Sequence, residues 1–297
     1  DVDHYSGLIG LLATFQLQRR EKTLTIIGPA GIREFVEWNL NFAKIETCYP
    51  IAIEELQEGF EHEVVLDGKD YYIEARPLQH SSFCIGYRFQ EKDKPGKVDA
   101  EKAAELGITE DEMFKDLKAG KDVTLDDGTV VPSSSIVGHP RPGDSFAYIT
   151  DTEYCQNSVK LAMNTNILFH EATFGDNLED RANTNGHSTA SDAARVANEA
   201  KTKLLVIGHF SARYTNPFVL LREARKVFYP TWLASELRPI FTDPAHEKGI
   251  VSPKVIIKEI SGDGKFQRPS GQRGYQRDDK NFRPRKRFND RGGDYRG

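Results

Sequence analysis

Cysteine is scarce in this sequence: the 297 residues include three, Cys48, Cys84 and Cys155. The number is odd and no two have the CxxC spacing, which argues against a disulfide framework and against a closed zinc site built from cysteines. Sparse, unpaired cysteine favours a reducing compartment, and we expect the protein to be cytoplasmic.

Long hydrophobic runs are also lacking. No apolar stretch approaches the roughly 18 residues of a bilayer-spanning helix, so we expect no membrane partner. No secretory signal is visible. The sequence opens with DVDHYSGLIGLL, in which Asp1, Asp3 and His4 precede a helix-like run. We interpret this opening as the second half of a metal-binding loop, so that the sequence starts partway through a site.

The net charge of −5 is distributed unevenly. Residues 262–297 contain 11 Lys/Arg and 5 Asp/Glu, with Gly, Asn and isolated Phe and Tyr but no periodic apolar face. This composition cannot bury enough surface to offset the entropy of ordering, so we predict a disordered tail. Arginines and spaced aromatic rings suit loose RNA binding, and a solubilising tail without a specific partner is the alternative.

Residues 1–261 form the predicted folded domain, in which strand-like and helix-like segments alternate. The predicted strands are TLTIIG, a hairpin EVVLDGKDYYIEARPL with Asp67-Gly68 at its tip, CIGYRFQE, a hairpin DVTLDDGTVV, the buried strand SFAYITD, NILFHEATF, KLLVIGHF and PKVIIKEI. The predicted helices are IREFVEWNLNFAK, two charged helices within 93–122, NSVKLAMN, TASDAARVANEAKT and NPFVLLREARKVF. This order indicates a layered α/β or α+β fold.

Five stretches place histidine or acidic residues at the end of a strand or in the loop beyond it. They are DVDH, PLQHSS, YITDTEYC, HEATF and VIGHFSARY, which contain His4, His80, Asp151, His170 and His209. A single histidine after a strand is more often a hydrogen-bonded structural residue than a ligand. Four histidines together with carboxylates favour an open hydrolytic site for Zn²⁺ or Mn²⁺.

These stretches, together with GHSTASDAA, resemble in order and spacing the ribonuclease Z family of the metallo-β-lactamase superfamily. The resemblance covers about residues 1–260 and implies a four-layer αβ/βα sandwich whose N-terminal strands are missing here. It further implies two Zn²⁺ ions per subunit, with Mn²⁺ as a possible substitute, and a homodimer.

The metal loop of that family is HxHxDH, and Asp3 and His4 take its last two positions. The resemblance makes both of them ligands of the second metal, with Asp3 also orienting or deprotonating the attacking water. Asp1 falls where the family has its second histidine and is a possible ligand. The resemblance further implies that His80 binds the first metal, that Asp151 bridges the two metals, and that His209 completes the second.

The family's catalytic histidine corresponds to His187, and its carboxylate partner to Glu171. A carboxylate beside an imidazole favours the protonated ring that a general acid requires. The alternative interpretations are a loop cap for Glu171 and a residue at a helix start for His187. We also expect three phosphate contacts: the guanidinium of Arg213, and Ser188 and Thr189 at the start of a helix.

Residues 91–132 resemble the family's flexible arm, or exosite, which clamps the tRNA elbow. Lys115, Lys118 and Lys121 lie at every third position there, and we expect them to face phosphates. A solvated charged helix is the alternative.

The resulting hypothesis is an endoribonuclease that cuts 3′ trailers from precursor tRNA just after the discriminator base. Three alternatives stay open: another metallo-β-lactamase hydrolase acting on a small substrate, a catalytically impaired RNA-binding relative, and an exonuclease that trims trailers stepwise.

Overall fold

The computed structural model describes residues 2–236 and 239–240. Three predictions lie outside this part of the chain: the ligand role of Asp1, the strand PKVIIKEI at 253–260, and the disordered tail at 262–297.

The described residues contain eleven strands and ten α-helices. The strands are β1 (Leu24–Pro29), β2 (Ile51–Leu56), β3 (Glu63–Asp67), β4 (Tyr71–Leu78), β5 (Cys84–Glu91), β6 (Val123–Thr124), β7 (Val130–Val131), β8 (Ser145–Ile149), β9 (Ile167–Glu171), β10 (Leu204–Gly208) and β11 (Thr231–Leu233). The helices are α1 (Val2–Tyr5), α2 (Leu8–Leu17), α3 (Ile32–Phe42), α4 (Ala100–Glu105), α5 (Asp111–Lys118), α6 (Ser133–Ile136), α7 (Gln156–Ala162), α8 (Glu179–Asn185), α9 (Ala190–Ala200) and α10 (Phe218–Val227). No helix among these residues is both long and apolar enough to cross a bilayer.

A seven-stranded mixed sheet forms the centre, in the order β11-β10-β9-β8-β5-β4-β3. Strands β8 to β11 are parallel, and β3, β4, β5 and β8 pair antiparallel. His170 of β9 is aligned with Ile149 of β8 and with Ile207 of β10. The carboxyl ends of these three strands therefore lie at one edge of the sheet, and the loops that follow them meet there.

Three hydrophobic clusters separate four layers. One, around Leu168, Leu205 and Leu220, packs α7, α9 and α10 against the large sheet. A second, around Leu12 and Val36, packs α2 and α3 on the two-stranded parallel sheet β1-β2. The third joins the two sheets, and the Tyr87 hydroxyl reinforces it by donating to the carbonyl of Ile27 at 3.1 Å. The expected αβ/βα layering is therefore present.

Two predicted details of the strands are wrong. The hairpin tip is Lys69-Asp70 rather than Asp67-Gly68, because Asp67 of β3 pairs with Tyr72 of β4 and the Gly68 N–H donates to the Tyr71 carbonyl at 2.9 Å. Strand β8 is buried on one face only. On its other face, Tyr148 is 41% exposed and stacks on the ring of Phe169.

Other segments differ from the sequence prediction. The first described residues, expected as a loop, form the one-turn helix α1, which places Asp3 and His4 on a helix. Strands β2 and β11 and helices α6 and α8 were not predicted. They are short, and their burial pattern becomes visible only against the neighbouring elements.

The insertion between β5 and β8 is longer than predicted. The predicted insertion covered residues 91–132. Isolated β-bridges pair Lys94 with Arg141 and Val98 with Val137, so the segment between β5 and β8 that leaves the sheet is residues 92–144. It contains helices α4, α5 and α6, the β6-β7 hairpin and a hydrophobic cluster that includes Ile108, Leu117 and Ile136. We call residues 92–144 the insertion module.

We expect Leu117→Ala to loosen the insertion module selectively. Leu117 is fully buried in the module's own cluster, and removing such a side chain costs about 2–5 kcal/mol. Hydrogen exchange should show faster exchange for amides of residues 98–136 and unchanged protection in β8, β9 and β10. The matched control Leu168→Ala, in the core of the large sheet, should reduce protection throughout the sheet. Equal loss of protection in both regions of Leu117→Ala would contradict an independent module core.

Candidate metal and proton-transfer site

Three loops that follow parallel strands bring the predicted site residues together. Asp151 lies two residues after β8, Glu171 ends β9, and His209 directly follows β10. Asp151 and His209 adopt left-handed backbone conformations, with φ of 50° and 57°. Residues other than glycine adopt this conformation at an energetic cost, and it ends each strand abruptly, so that both side chains turn into the same space.

Four predicted metal ligands form one cluster. His4 Nε2 lies 2.8 Å from Asp151 Oδ2 and 3.2 Å from His209 Nε2, and His209 Nε2 lies 3.3 Å from Asp151 Oδ1. Asp3 is at the edge of the cluster, with Oδ2 3.8 Å from His4 Nε2 and its side chain 70% exposed. Asp3, His4 and His209 satisfy the geometry of a cation site.

The donor set fits a divalent metal. Asp151 Oδ1 is buried and accepts no hydrogen bond from the residues that the structure describes, although a buried carboxylate oxygen without a hydrogen-bond donor is costly. Imidazole nitrogens and carboxylate oxygens are the ligands that Zn²⁺ and Mn²⁺ take in hydrolytic sites. A cation at this point would satisfy Asp151 Oδ1 and separate the facing Nε2 atoms of His4 and His209.

His80 stands next to this cluster but is not within ligand distance of it in the described structure. Its ring centroid is 5.1 Å from that of His187, and its Nδ1 donates to the Gly186 carbonyl at 2.7 Å. A neutral ring with its proton on Nδ1 has the lone pair that binds metals on Nε2. The predicted role of His80 in a first metal site therefore remains a prediction.

Glu171 and His187 form a hydrogen-bonded pair beside the cluster. His187 Nδ1 lies 2.9 Å from Glu171 Oε1 and 3.9 Å from Asp151 Oδ1. Glu171 is fully buried and also accepts from the backbone amides of Thr152 and Ser188, at 2.7 and 3.2 Å. Burial alone raises the pKa of Glu171, but the hydrogen bonds from His187 and Thr173 hold it below its ordinary value.

The same pair favours a protonated imidazole. The hydrogen bond to Glu171 raises the pKa of His187 above its ordinary value, although partial burial opposes this shift. Since Nδ1 points at Glu171, Nε2 is the atom that His187 can present to a substrate. Glu171 and His187 also satisfy the distances of a cation site with Asp151 and His209. Because protein donors already surround the Glu171 carboxylate, proton transfer is favoured over metal binding as the role of the Glu171–His187 pair.

The predicted phosphate contacts divide into two groups. Arg213 is exposed, its Nε donates to Ser211 Oγ at 2.9 Å, and its guanidinium lies 5.1 Å from the ring centroid of Phe174, which neighbours His187. Ser188 and Thr189 are buried and are not placed to bind phosphate. Ser188 Oγ donates to the Thr152 carbonyl at 2.6 Å. Thr189 forms the capping box of α9 with Asp192.

The three lysines of the insertion module also differ from one another. Lys115 and Lys118 are exposed on α5, one turn apart. Lys121 lies beyond the end of α5 and pairs with Asp116 Oδ1 at 3.0 Å, so its charge is partly compensated. The predicted common face therefore includes Lys115 and Lys118 only.

One residue of the site was missed by the sequence analysis. Thr173 hydrogen bonds to both Glu171 and His209. In the sequence, only its position two residues after Glu171 in HEATF indicates a place in the site, and a threonine at such a position can have many other roles.

Comparisons with known proteins show which family the chain is similar to. No family model matches the chain. The chain is 38% identical to a ribonuclease Z of Salinibacter ruber over 247 residues, which are 83% of this chain and 77% of the relative. It is 39% identical to a ribonuclease BN of Escherichia coli O139:H28 over 236 residues, or 79% and 76% of the two chains.

A solved structure, human tRNase Z, short form, matches with a TM-score of 0.54 at 22% identity and covers 81% of this chain and 75% of its own. That similarity shows a shared fold. The identity to the bacterial relatives over most of both chains shows more than the fold: this chain belongs to the ribonuclease Z family.

Proposed function

We propose that this chain is a metal-dependent endoribonuclease that removes 3′ trailers from precursor tRNA. The single observation that carries the proposal is the adjacency of two groups. The carboxylate of Asp151 faces the imidazoles of His4 and His209, and its buried Oδ1 accepts no hydrogen bond from the described residues. The Glu171–His187 pair lies within 4 Å of that oxygen. Hydrolysis of a phosphodiester needs an activated water to attack phosphorus and an acid to protonate the leaving oxygen, and this combination suits both steps.

The proposed cofactor is a pair of Zn²⁺ ions per subunit, with Mn²⁺ as the other candidate. Asp3, His4, Asp151 and His209 would hold the second ion, and His80 would join Asp151 at the first. When bound, such ions neutralise the scissile phosphate and lower the pKa of a water toward neutrality.

The chain's own groups then have defined tasks. Asp3, the most exposed carboxylate of the cluster, orients the water and accepts its proton. His187 Nε2 donates a proton to the leaving 3′ oxygen of the tRNA, and Glu171 holds the ring in the orientation that allows this. The products are a tRNA with a 3′ hydroxyl and a trailer with a 5′ phosphate. We propose that Arg213 contacts a phosphate beside the scissile one, which its guanidinium near Phe174, a neighbour of His187, supports.

We place recognition of the tRNA body on the insertion module. Lys115 and Lys118 project from α5 into solvent, at a distance in sequence from every site residue. Contacts from these lysines to the RNA backbone suit a folded RNA, because proteins recognise A-form helices mostly by their shape.

We further propose a homodimer that uses α2 and α3. Trp38 and Phe42 stack on the outer face of α3 and are 61% and 75% exposed, and Leu17 at the end of α2 is 83% exposed. Exposed aromatic and aliphatic side chains on neighbouring helices are typical of an interface that another chain covers.

We expect His187→Ala to retain its metal and to cleave poorly. Loss of a general acid costs typically 10²- to 10⁴-fold in rate. Elemental analysis and single-turnover cleavage of precursor tRNA would measure the two properties on one sample. Loss of metal in this variant would show that His187 is a ligand instead of the acid.

Cleavage should be endonucleolytic and specific for RNA. With a 3′-labelled precursor, the trailer should appear as one whole fragment, because water attacks a single internal linkage. Labelled mononucleotides would instead support stepwise trimming. Turnover of a small phosphodiester at a rate similar to that of tRNA would favour a small-substrate hydrolase of the same fold.

We expect the double variant Lys115→Glu/Lys118→Glu to raise KM for precursor tRNA and to reduce the salt dependence of binding, with kcat little changed. Removing two phosphate contacts lowers the slope of log affinity against log salt by about 2. Lys121→Glu is the matched control, because Lys121 already pairs with Asp116 and should alter KM less. An effect of Lys121→Glu about half that of the double variant, in proportion to charge changes of −2 and −4, would assign the change to net charge alone.

A further inference from the structure

Thr173 lies between the metal-ligand cluster and the proton-transfer pair. Its Oγ1 is 2.9 Å from His209 Nδ1 and 2.5 Å from Glu171 Oε2, and the residue is 7% exposed. One side chain thus touches a predicted metal ligand from β10 and the carboxylate that orients His187 from β9.

The Thr173 hydroxyl has one proton to donate and several neighbours that could accept it. Glu171 is surrounded by donors from His187, the backbone and Thr173, so its carboxylate acts only as an acceptor. The Thr173 hydroxyl therefore donates its single proton to Glu171 Oε2. Its oxygen can then only accept at the His209 contact, so that His209 Nδ1 carries a proton. The 3.0 Å contact with the His209 carbonyl competes for the same proton, but the bond to the charged carboxylate is shorter and stronger.

This assignment determines which nitrogen of His209 faces the cluster without a proton. A neutral imidazole protonated on Nδ1 has its lone pair on Nε2, which is the atom 3.3 Å from Asp151 and 3.2 Å from His4. If Nε2 carried the proton instead, it would occupy the position of a metal.

We propose that Thr173 is a positioning residue that fixes the metal-binding tautomer of His209 and the orientation of Glu171 through one hydroxyl. The inference rests on the proposed function for its catalytic consequence, but its consequence for metal binding does not depend on the substrate. Loss of the hydroxyl releases His209 to take the other tautomer and removes one donor from Glu171. Metal retention and proton transfer should therefore weaken together.

The test compares Thr173→Val, which has nearly the same shape without a hydroxyl, with Thr173→Ser, which keeps the hydroxyl. Metal is measured as the Zn²⁺ content of the purified full chain and as the rate of Zn²⁺ loss to a chelator. We expect Thr173→Val to bind Zn²⁺ about 10- to 100-fold more weakly, the usual effect of removing a hydrogen-bond partner of a metal ligand. Its kcat for precursor tRNA should fall while KM is retained, and Thr173→Ser should restore both properties to within a few-fold.

A matched control separates this role from the general cost of deleting a buried hydroxyl. Thr165 is fully buried just before β9 and shares a 2.8 Å hydrogen bond with Thr202. Thr165→Val should lower Tm but leave Zn²⁺ affinity and kcat unchanged. Wild-type Zn²⁺ retention and kcat in Thr173→Val would overturn the inference, as would equal losses in Thr165→Val.

A further measurement needs no destabilised variant. Nitrogen-15 NMR of the histidine rings in the Zn²⁺-loaded wild-type chain reports the tautomer of His209, and we expect the proton on Nδ1. A proton on Nε2 would overturn the inference even if Thr173→Val fails to fold. If Thr173→Val loses Zn²⁺ but the wild-type chain cleaves no RNA, the proposed function fails and the role of Thr173 in metal binding stands.

Discussion

Burial of the Glu171 carboxylate is the constraint on which the site depends. An ionised carboxylate in the protein interior costs several kcal/mol unless donors surround it. Here the donors come from three separate loops: Thr152 after β8, Thr173 after β9, and His187 and Ser188 ahead of α9. The carboxylate therefore holds the loops together. Loss of any one donor segment would leave a buried charge insufficiently paired, so the loops that carry catalysis also support each other's positions.

Much of the architecture could be predicted from the sequence, and the reasons are local. Strand β5 was predicted at its observed limits, and α9 follows from Thr189, Asp192 and a helical pattern of alanines. The site residues at the ends of β9 and β10 were found because histidines and a carboxylate follow strand-like segments there and match the motifs of a known family. The sequence could not show that Ser188 is buried against Thr152, or that Thr173 reaches His209 over 36 residues. These contacts depend on the register of two strands and on the conformation of the loops beyond them.

If Lys115 and Lys118 bind RNA as proposed, the insertion module keeps substrate recognition apart from the site at the edge of the sheet. It leaves the sheet after β5, packs around its own cluster and returns to β8, the strand adjacent to β5. Because entry and exit lie side by side, the module adds surface, on which we propose RNA recognition, without disturbing the strand order that sets the site. The proposed recognition and cleavage functions therefore depend on separate hydrophobic cores.

At Asp151 and His209 the left-handed backbone conformation favours glycine, whereas the cluster needs the side chains of these two residues. Glycine would adopt either conformation without the steric cost that a side chain incurs. A directed-evolution experiment that rewarded only thermal tolerance would favour such replacements and erase the ligands in doing so. Thermostabilised versions of this enzyme should therefore be sought in the surface helices and the insertion module, where rigidity and reactivity do not compete.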